Sequence, residues 1–536
     1  MKIILLLLII TNLFATKEIS ATWLKQQPTS VAKDFYIWRY LSQQISSDEA
    51  LKALGQVRYL NNPIFYRFVD KYNDKIYDDF VRCKKSKTKS LINKEDYCIE
   101  AGLSIYDATK LSESELTLVM DKVRLSYPLL YNKLEILNSA IPFQKLIKSD
   151  EDTFFNTFNE CGSVYRDKYF DNFFPLETID RLKKDKRFFQ TIKLIVTNLN
   201  MTKAQKSLFS LSSEGLDFKS TFHLAINAIR HKKEKRALEY LKKAYKKAYF
   251  QMQKDNILFW QYKVTNDEKY LKKLSSSWDV NIYSLYAADI LKKQKENIIF
   301  DIELNKKSKL SFDTTNPFKW IKVLKDSKKM DDKKLSKYSK LFNSEKTIGH
   351  LAFVKERYDR YRNSYFITPY EEYIGSLDNK RKALIYAIAR QESRFIPTSI
   401  STAYAMGSMQ IMPFLSKAIA KELKENYDID KQLEPKTNLK YANHHLNFLE
   451  KRLKHPLFIA YGYNGGIGFT KRILKKGLFR DRNNYEPFLS MELIPYDETK
   501  KYGKKVLANY YIYHNHINNN DTLKISHLFN SIRSVY

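Results

Sequence analysis

Glu392 lies where a carboxyl group continues an apolar helix face. Leu384, Ile388 and Glu392 are spaced four residues apart, so they share one face of a helix. Pro397 makes further helix unfavourable. Burial of a carboxyl group disfavours its charged form and raises its pKa, which suits a general acid near neutral pH. We predict that Glu392 is an acid/base residue; the alternative is an idle, half-exposed glutamate at a helix end.

Two further segments place polar side chains among apolar ones. Gln410, between Met409 and Met412, carries two donors and an acceptor that suit sugar hydroxyls or amides. Tyr463 and Asn464 come directly before a glycine-rich turn. Glycines cluster from about residue 367 onward, and glycine lets the backbone approach a ligand closely. The clustering therefore predicts a cleft in this part of the chain.

No motif for a metal or a nucleophile stands out in the chain. No Cys-x-x-Cys or His-Glu-x-x-His spacing occurs. His444 and His445 are adjacent, so they point to different sides of a helix, and we interpret them as surface residues. We expect no metal and no other cofactor.

The start of the chain is typical of a secretory signal peptide. Lys2 precedes the apolar run Ile3–Ile10, and small residues follow near Ala15 and Ala21. We predict a signal peptide over residues 1–21 and a periplasmic protein. No later stretch is apolar enough for stable membrane insertion.

The three cysteines fit an exported protein. An oxidising compartment permits one disulfide and leaves one thiol among Cys83, Cys98 and Cys161. We favour the pair Cys83–Cys98, which closes a short loop.

The formal net charge of +33 has two interpretations. It indicates an anionic partner, or it reflects lysine as the default solvated residue. The export signal argues against nucleic acid and points to anionic envelope polymers or membrane surfaces.

The composition favours an all-α protein. Only 13 Gly and 13 Pro occur in 536 residues, which disfavours a fold of many tight turns. Apolar residues recur at helical spacing, and Phe222–Phe250 divides into two helices at His231. Such pairing is typical of a helical-hairpin solenoid, although no fixed repeat is present. The many aromatic side chains are interpreted as helix-packing core, with a concave binding surface as the alternative.

Four blocks in the last third resemble the lysozyme-like catalytic domain of the soluble lytic transglycosylases, bacterial enzymes that cleave peptidoglycan. The blocks are 392–397 (ESRFIP), 405–413 (AMGSMQIMP), 462–466 (GYNGG) and 494–502 (IPYDETKKY). The chain departs from the family at Ser408, where Leu is usual, and at Lys500 and Lys501, where Arg and Gly are usual. Lysine does not reproduce the bidentate fork of arginine, so the role of the fourth block is open.

The resemblance implies an architecture. Residues 22–300 are expected to form an α-superhelical domain, a ring or horseshoe. Residues 301–366 are expected to form a helical linker region, and residues 367–536 a lysozyme-like catalytic domain. The implied partner is the peptidoglycan glycan strand, with envelope proteins contacting the solenoid as a further class and no nucleic acid.

The resemblance also implies a mechanism with one acid/base residue. Glu392 would protonate the β-1,4 glycosidic oxygen between N-acetylmuramic acid and N-acetylglucosamine. The sugar's own C6 hydroxyl would then close a 1,6-anhydro ring, which proximity favours over attack by water. Further residues would bind or orient the glycan: Ser401, Gln410, Met412, Tyr463, Asn464 and Glu498.

Two other functions stay open at this stage. A hydrolytic muramidase would need a second carboxylate to activate water and would release a reducing end. A non-catalytic envelope scaffold would bind glycan or proteins through its solenoid and would not need Glu392.

Overall fold

The computed structural model describes residues 18–480, 483–518 and 522–533. Most of the predicted signal peptide, residues 1–17, lies outside the described residues, and the first helix begins at Ala21. Within the described ranges, no helix combines the length and apolarity that crossing a membrane requires.

The front part of the chain is a succession of short and medium helices. They are α1 (Ala21–Gln26), α2 (Val31–Tyr40), α3 (Ser47–Leu54), α4 (Asn62–Tyr72), α5 (Lys75–Lys85), α6 (Thr88–Leu91), α7 (Asp96–Gly102), α8 (Ile105–Ala108), α9 (Glu113–Val123), α10 (Pro128–Leu137), α11 (Pro142–Lys148), α12 (Glu151–Glu160), α13 (Ser163–Tyr169), α14 (Leu176–Leu182), α15 (Phe188–Thr197), α16 (Thr202–Ser207), α17 (Phe218–Arg230), α18 (Glu234–Lys247), α19 (Gln251–Thr265), α20 (Glu268–Ser275) and α21 (Ile282–Ile290).

Helices continue through the rest of the chain. They are α22 (Pro317–Asp326), α23 (Asp332–Leu341), α24 (Ile348–Tyr358), α25 (Glu371–Ile374), α26 (Asn379–Glu392), α27 (Pro413–Glu422), α28 (Pro435–Leu453), α29 (Pro456–Gly465), α30 (Ile467–Lys475), α31 (Phe488–Glu492), α32 (Asp497–Ile517) and α33 (Ile525–Arg533), with 3-10 turns at Ser327–Lys329, Glu345–Thr347 and Asp430–Leu433. Two short strands, β1 (Ile298–Ile299) and β2 (Ser364–Tyr365), pair in parallel, Ile298 opposite Ser364. The predicted all-α fold class is confirmed.

The chain forms two compact units. Unit 1 takes its described residues from 18–78, 313–326 and 396–442, and unit 2 comprises 79–312, 327–395 and the described residues from 443 onward. This grouping does not follow the boundaries expected at residues 300 and 366, because unit 1 draws segments from both sides of each. The division into three domains stays a prediction.

Local expectations for the front part are confirmed. The predicted helix pair is α17 and α18, which are separated at His231–Lys233. Trp260 is fully buried, in agreement with an aromatic core. Cys83 and Cys98 form the favoured disulfide, and Cys161 is a buried free thiol.

A buried ion pair in unit 2 joins α26 to α24. The Arg390 guanidinium donates to Glu356 Oε1 at 2.9 Å, and the two side chains are only 7% and 3% exposed. Arg390 also donates to Asn509 Oδ1 at 3.1 Å and to the Tyr365 carbonyl at 2.9 Å. These bonds fix the last turns of α26, because a buried charge is stable only when it is paired and hydrogen-bonded.

Replacing Glu356 by Ala should destabilise the protein by about 3–5 kcal/mol, since Arg390 would keep a buried, uncompensated charge. The free energy of unfolding of unit 2, measured in urea, checks this. Glu268→Ala, also in unit 2, breaks an ion pair whose partners are 69% and 66% exposed, and it should cost less than about 1 kcal/mol. Equal costs for the two variants would contradict a structural role for the buried pair.

Candidate active site

Helix α26 carries Glu392 in its last turn. Asp378 caps the start of the helix by accepting a hydrogen bond from the Arg381 N–H. The helix ends at Glu392, and Arg394 and Phe395 then turn the chain with φ of +57° and +66°. The predicted helix and its end before Pro397 are therefore confirmed.

The left-handed turn after Glu392 is held by packing. Two successive non-glycine residues with positive φ are strained, and they keep this conformation only when the surrounding structure fixes them. Phe395 is 2% exposed, and its carbonyl accepts a hydrogen bond from Tyr370 Oη at 2.8 Å. Gly349 of α24 lies so close that an added Cβ would stand 3.0 Å from Phe395 Cβ.

The Glu392 carboxyl group is half-buried and has one described hydrogen-bond partner. Tyr502 Oη donates to Glu392 Oε1 at 2.7 Å. Burial raises the pKa of Glu392 to about 7; the Tyr502 hydrogen bond works against this rise, and the charge of Glu498 adds to it. The C-terminal end of a helix dipole also disfavours a negative charge. The direction of this shift agrees with the raised pKa that the sequence predicts for Glu392.

Helix α32 brings Tyr502 to Glu392. Asn509 of this helix donates to the Ala387 carbonyl at 3.0 Å and accepts from Arg390, so it bridges α32 and α26. On another face, a Cβ added to Gly503 would stand 2.1 Å from Tyr461 Cε1 of α29. Only glycine permits this close packing.

Tyr463 lies in the last turn of α29 and is half-buried. Burial, with a further contribution from the charge of Glu392, raises its pKa well above the usual range. Its ring centroid lies 5.7 Å from that of His445. The interpretation of His444 and His445 as surface residues was wrong, because both are half-buried and His445 packs on the site.

Asn464 and Glu498 lie together. Asn464 Nδ2 donates to Glu498 Oε1 at 3.3 Å, and Asn464 Oδ1 accepts from Thr499 Oγ1 at 2.8 Å. Glu498 is exposed in the first turn of α32, where a carboxylate is favoured by the helix dipole.

The other predicted residues belong to unit 1. Ser401 Oγ accepts from the Ala405 N–H at 3.0 Å within a tight turn. Gln410 has φ of +50°, and its Nε2 donates to the carbonyls of Ser399 and Gly407 at 3.0 and 2.8 Å. Its amide donors therefore hold the loop, and Oε1 is the group left for a ligand. Met412 is half-buried and precedes α27.

Asn438 of α28 holds the loop that carries Gln410 through two hydrogen bonds to the backbone. It accepts from the Met409 N–H at 2.8 Å and donates to the Met406 carbonyl at 3.1 Å. Gly407 packs against it, with φ of +81° and room for no Cβ. Met409 is fully buried, so it belongs to the core.

Sequence reasoning missed Tyr502 and Asn438 as site residues. Tyr502 closes the fourth block of the resemblance, so a signal for it was present. Asn438 lies outside every block and gave no signal. For the part of the chain that is described, no cluster of His, Cys, Asp and Glu is arranged to hold a metal.

The arrangement in unit 2 can deliver and take back a proton. A carboxyl group with a pKa of about 7 is present in both protonation states near neutrality. Its hydrogen bond from Tyr502 fixes one oxygen and leaves the other for a substrate.

Comparison with known proteins finds a family model that matches the segment carrying Glu392 and Tyr463. The transglycosylase SLT domain model matches residues 370–485. The soluble lytic murein transglycosylase of Salmonella typhimurium is 28% identical over 218 residues, 38% of this chain and 32% of that protein. A putative soluble lytic murein transglycosylase of Haemophilus influenzae is 30% identical over 185 residues, 34% and 30% of the two chains. These matches span about a third of the relatives' length.

A solved structure shares the fold over most of the chain. An inactive mutant of the lytic transglycosylase Slt from Pseudomonas aeruginosa superposes with a TM-score of 0.52 at 13% identity, covering 94% of this chain and 89% of that one. Residues 370–485 match the transglycosylase SLT domain model, and the resemblance seen in the sequence is confirmed.

The raised pKa of Glu392 predicts a pH-dependent effect on stability. The folded-state pKa of about 7 lies above the ordinary 4.5, so the stability that the protonated group supplies is complete below 4.5 and is lost as the pH rises through 7. Glu392→Gln cannot ionise. Between pH 5 and pH 8 it should therefore gain on the order of 1–3 kcal/mol over the parent protein in urea unfolding.

Tyr502→Phe sharpens this test. Removing the donor should raise the pKa of Glu392 further and shift the transition to higher pH. Tyr513→Phe is the matched control on the same helix, because it removes a hydrogen bond of 2.9 Å to the Ile367 carbonyl. If both variants shift the transition equally, the direct Tyr502 contact is not its cause.

Proposed function

We propose that this protein is a lytic transglycosylase that cleaves the bond between N-acetylmuramic acid and N-acetylglucosamine in peptidoglycan and releases a 1,6-anhydro product. The observation that carries the proposal is Glu392, held half-buried with a pKa of about 7 inside a transglycosylase SLT domain. The relatives named as murein transglycosylases support the substrate.

The proposed reaction uses Glu392 twice. The protonated carboxyl group gives its proton to the glycosidic oxygen, and the N-acetylglucosamine side leaves as an alcohol. The acetamido oxygen of N-acetylmuramic acid stabilises the positive charge at C1. The carboxylate then takes the proton of the C6 hydroxyl while O6 bonds to C1, which restores the acid without consuming water. Tyr502, donating to one oxygen, keeps the carboxyl group oriented through both steps.

The position of Glu498 bears on the rival hydrolytic mechanism. A hydrolase would use a second carboxylate to activate water. Glu498 is exposed, and one of its oxygens is engaged by Asn464. These features support a role in binding the glycan rather than in deprotonating water.

The remaining residues are proposed to bind the glycan. Gln410 Oε1 would accept from a sugar hydroxyl or amide, and Tyr463 would face the acetamido group. Ser401, Met412 and Asn464 are assigned by the resemblance of their blocks. Action on peptidoglycan agrees with the predicted export signal, so we propose that the protein acts in the periplasm.

Glu392→Gln should abolish release of anhydromuropeptides from purified sacculi, with a loss of at least about a thousandfold in rate, because no proton reaches the leaving oxygen. Mass spectrometry of the digest separates anhydro products from reducing-end products.

Glu498→Gln is the companion variant. It should keep the anhydro product and lower the rate by roughly ten- to a hundredfold through weaker binding. Reducing-end products from the parent protein, abolished in Glu498→Gln, would establish hydrolysis and overturn the proposal. Unchanged cleavage by Glu392→Gln would exclude the assigned acid.

The pKa of Glu392 also predicts the pH profile. Since the first step needs the protonated group, kcat/KM should fall about tenfold per pH unit above about 7. Tyr502→Phe should move this limb to higher pH, whereas Tyr513→Phe should leave it in place. A rate that is constant from pH 6 to pH 9 would contradict the general-acid role.

A further inference from the structure

An open cavity of about 620 Å³ lies in the helical region of unit 2. All of its lining residues fall between Tyr106 and Tyr169, on α8, α9, α10, α13 and the segments beside them. None belongs to the SLT domain, and the proposed reaction does not use it. Its volume is typical of pockets that bind small organic ligands.

Three tyrosines supply an aromatic wall. The rings of Tyr165 and Tyr169 lie with centroids 4.4 Å apart. Tyr106 is 52% exposed, and its ring rests on Gly162, where an added Cβ would be 2.6 Å from Tyr106 Cδ2. Gly162 also has φ of +80°, so glycine is required both for the backbone and for the placement of this ring.

Two lysines add positive charge to this wall. Lys110 Nζ lies 3.8 Å from the Tyr106 ring centroid and pairs with Asp107 at 2.6 Å. Lys168 Nζ lies 4.7 Å from the Tyr169 centroid, and the described residues offer it no carboxylate partner. Lys168 is therefore the cation available to an anionic ligand.

The two features together define the ligand chemistry. Tyrosine rings present broad, partly apolar faces with a polar edge, which suit the apolar face of a sugar ring. An unpaired lysine suits a carboxylate. Glu113, which also lines the cavity, offers an acceptor for an amino group.

We propose that this cavity is a second binding site, for a peptide-bearing disaccharide of peptidoglycan. The sugar packs on the tyrosine wall, and the peptide carboxylate pairs with Lys168. The choice of this ligand rests on the proposed function, whereas the cavity itself does not. Such a site would hold a strand or a product away from the residues that cleave it.

The test uses the full chain with Glu392→Gln, which prevents turnover, and a purified disaccharide-peptide as the probe. Hydrogen–deuterium exchange should show protection in residues 105–113 and 161–169, in addition to the SLT domain. Protection confined to the SLT domain would overturn the proposal.

Two variants in this background test the cavity directly. Val164 is 81% exposed and lines the cavity, so Val164→Trp fills it without disturbing the core and should weaken protection at 105–113 by at least about tenfold in probe concentration. Lys168→Gln should weaken it roughly threefold, as expected for an exposed charge pair. Lys184→Gln, an exposed lysine outside the cavity, should change nothing. Unaltered protection in Val164→Trp would also overturn the proposal.

Shorter probes separate the two halves of the ligand. The disaccharide without peptide and the free peptide should each protect these segments at least about tenfold more weakly than the joined molecule. Equal protection by either one would refute the composite ligand. Anhydro product release by the protein with Glu392 intact reports on the proposed function separately, so the two proposals can fail independently.

Discussion

The hydrogen bond from Tyr502 to Glu392 is the contact on which the candidate site depends. It joins α32 to α26, and the two bonded residues are 110 positions apart in the sequence. A carboxyl group at the end of α26 has little else to orient it, because the chain turns away immediately after it. Burial raises its pKa to about 7, and the phenol keeps that group in one orientation at the same time. Proton transfer in both directions needs both conditions.

The bonds made by Arg390 help to position Glu392 for its hydrogen bond with Tyr502. The ion pair with Glu356 and the bond to Asn509 hold the last turn of α26 from two sides. A buried ion pair is weak evidence for net stability, because desolvation of both charges offsets their attraction. Its clearer effect is positional, since Arg390 lies two residues before Glu392. In a general acid, misplacement of the carboxyl group by even about 1 Å lowers the catalytic rate. Accurate positioning is therefore a physical reason for an ion pair that is costly to desolvate.

The sequence predicted much of this site and little of what holds it. Helical spacing predicted α26, and Pro397 predicted where it ends. Because Glu392 continues the apolar face of that helix, the sequence also predicted a raised pKa for its carboxyl group. These features are local, so periodicity reports them. Asn438, Glu356 and Asn509 act across 29 to 122 residues, and no pattern within a helix specifies which distant helix it meets. His445 was misjudged for the same reason, since its neighbour Tyr463 comes from another helix. The grouping into two units could not be predicted from the order of residues either, because unit 1 is assembled from three separate segments.

Helix α32 links the site to the front helices through buried charges. Glu492, just before this helix, accepts from Lys504 Nζ at 2.7 Å and from Tyr283 Oη at 2.9 Å, the latter on α21. Lys500, which stands where the family has arginine, donates to the Glu492 carbonyl at 3.1 Å, and burial lowers its pKa to about 8.

These bonds fix the rotation of α32 about its axis. A shift by one residue would turn the helix by about 100° and carry Tyr502 away from Glu392. It would also leave Lys504 buried without its carboxylate, at a cost of several kcal/mol. The departure from arginine at residue 500 is thus compatible with the site, because a single ammonium reaching one backbone carbonyl needs no bidentate fork. The buried charges on α32 therefore fix the position of this helix, so that Tyr502 stays hydrogen-bonded to Glu392. Helix α21, which supplies Tyr283, helps to hold α32 in place.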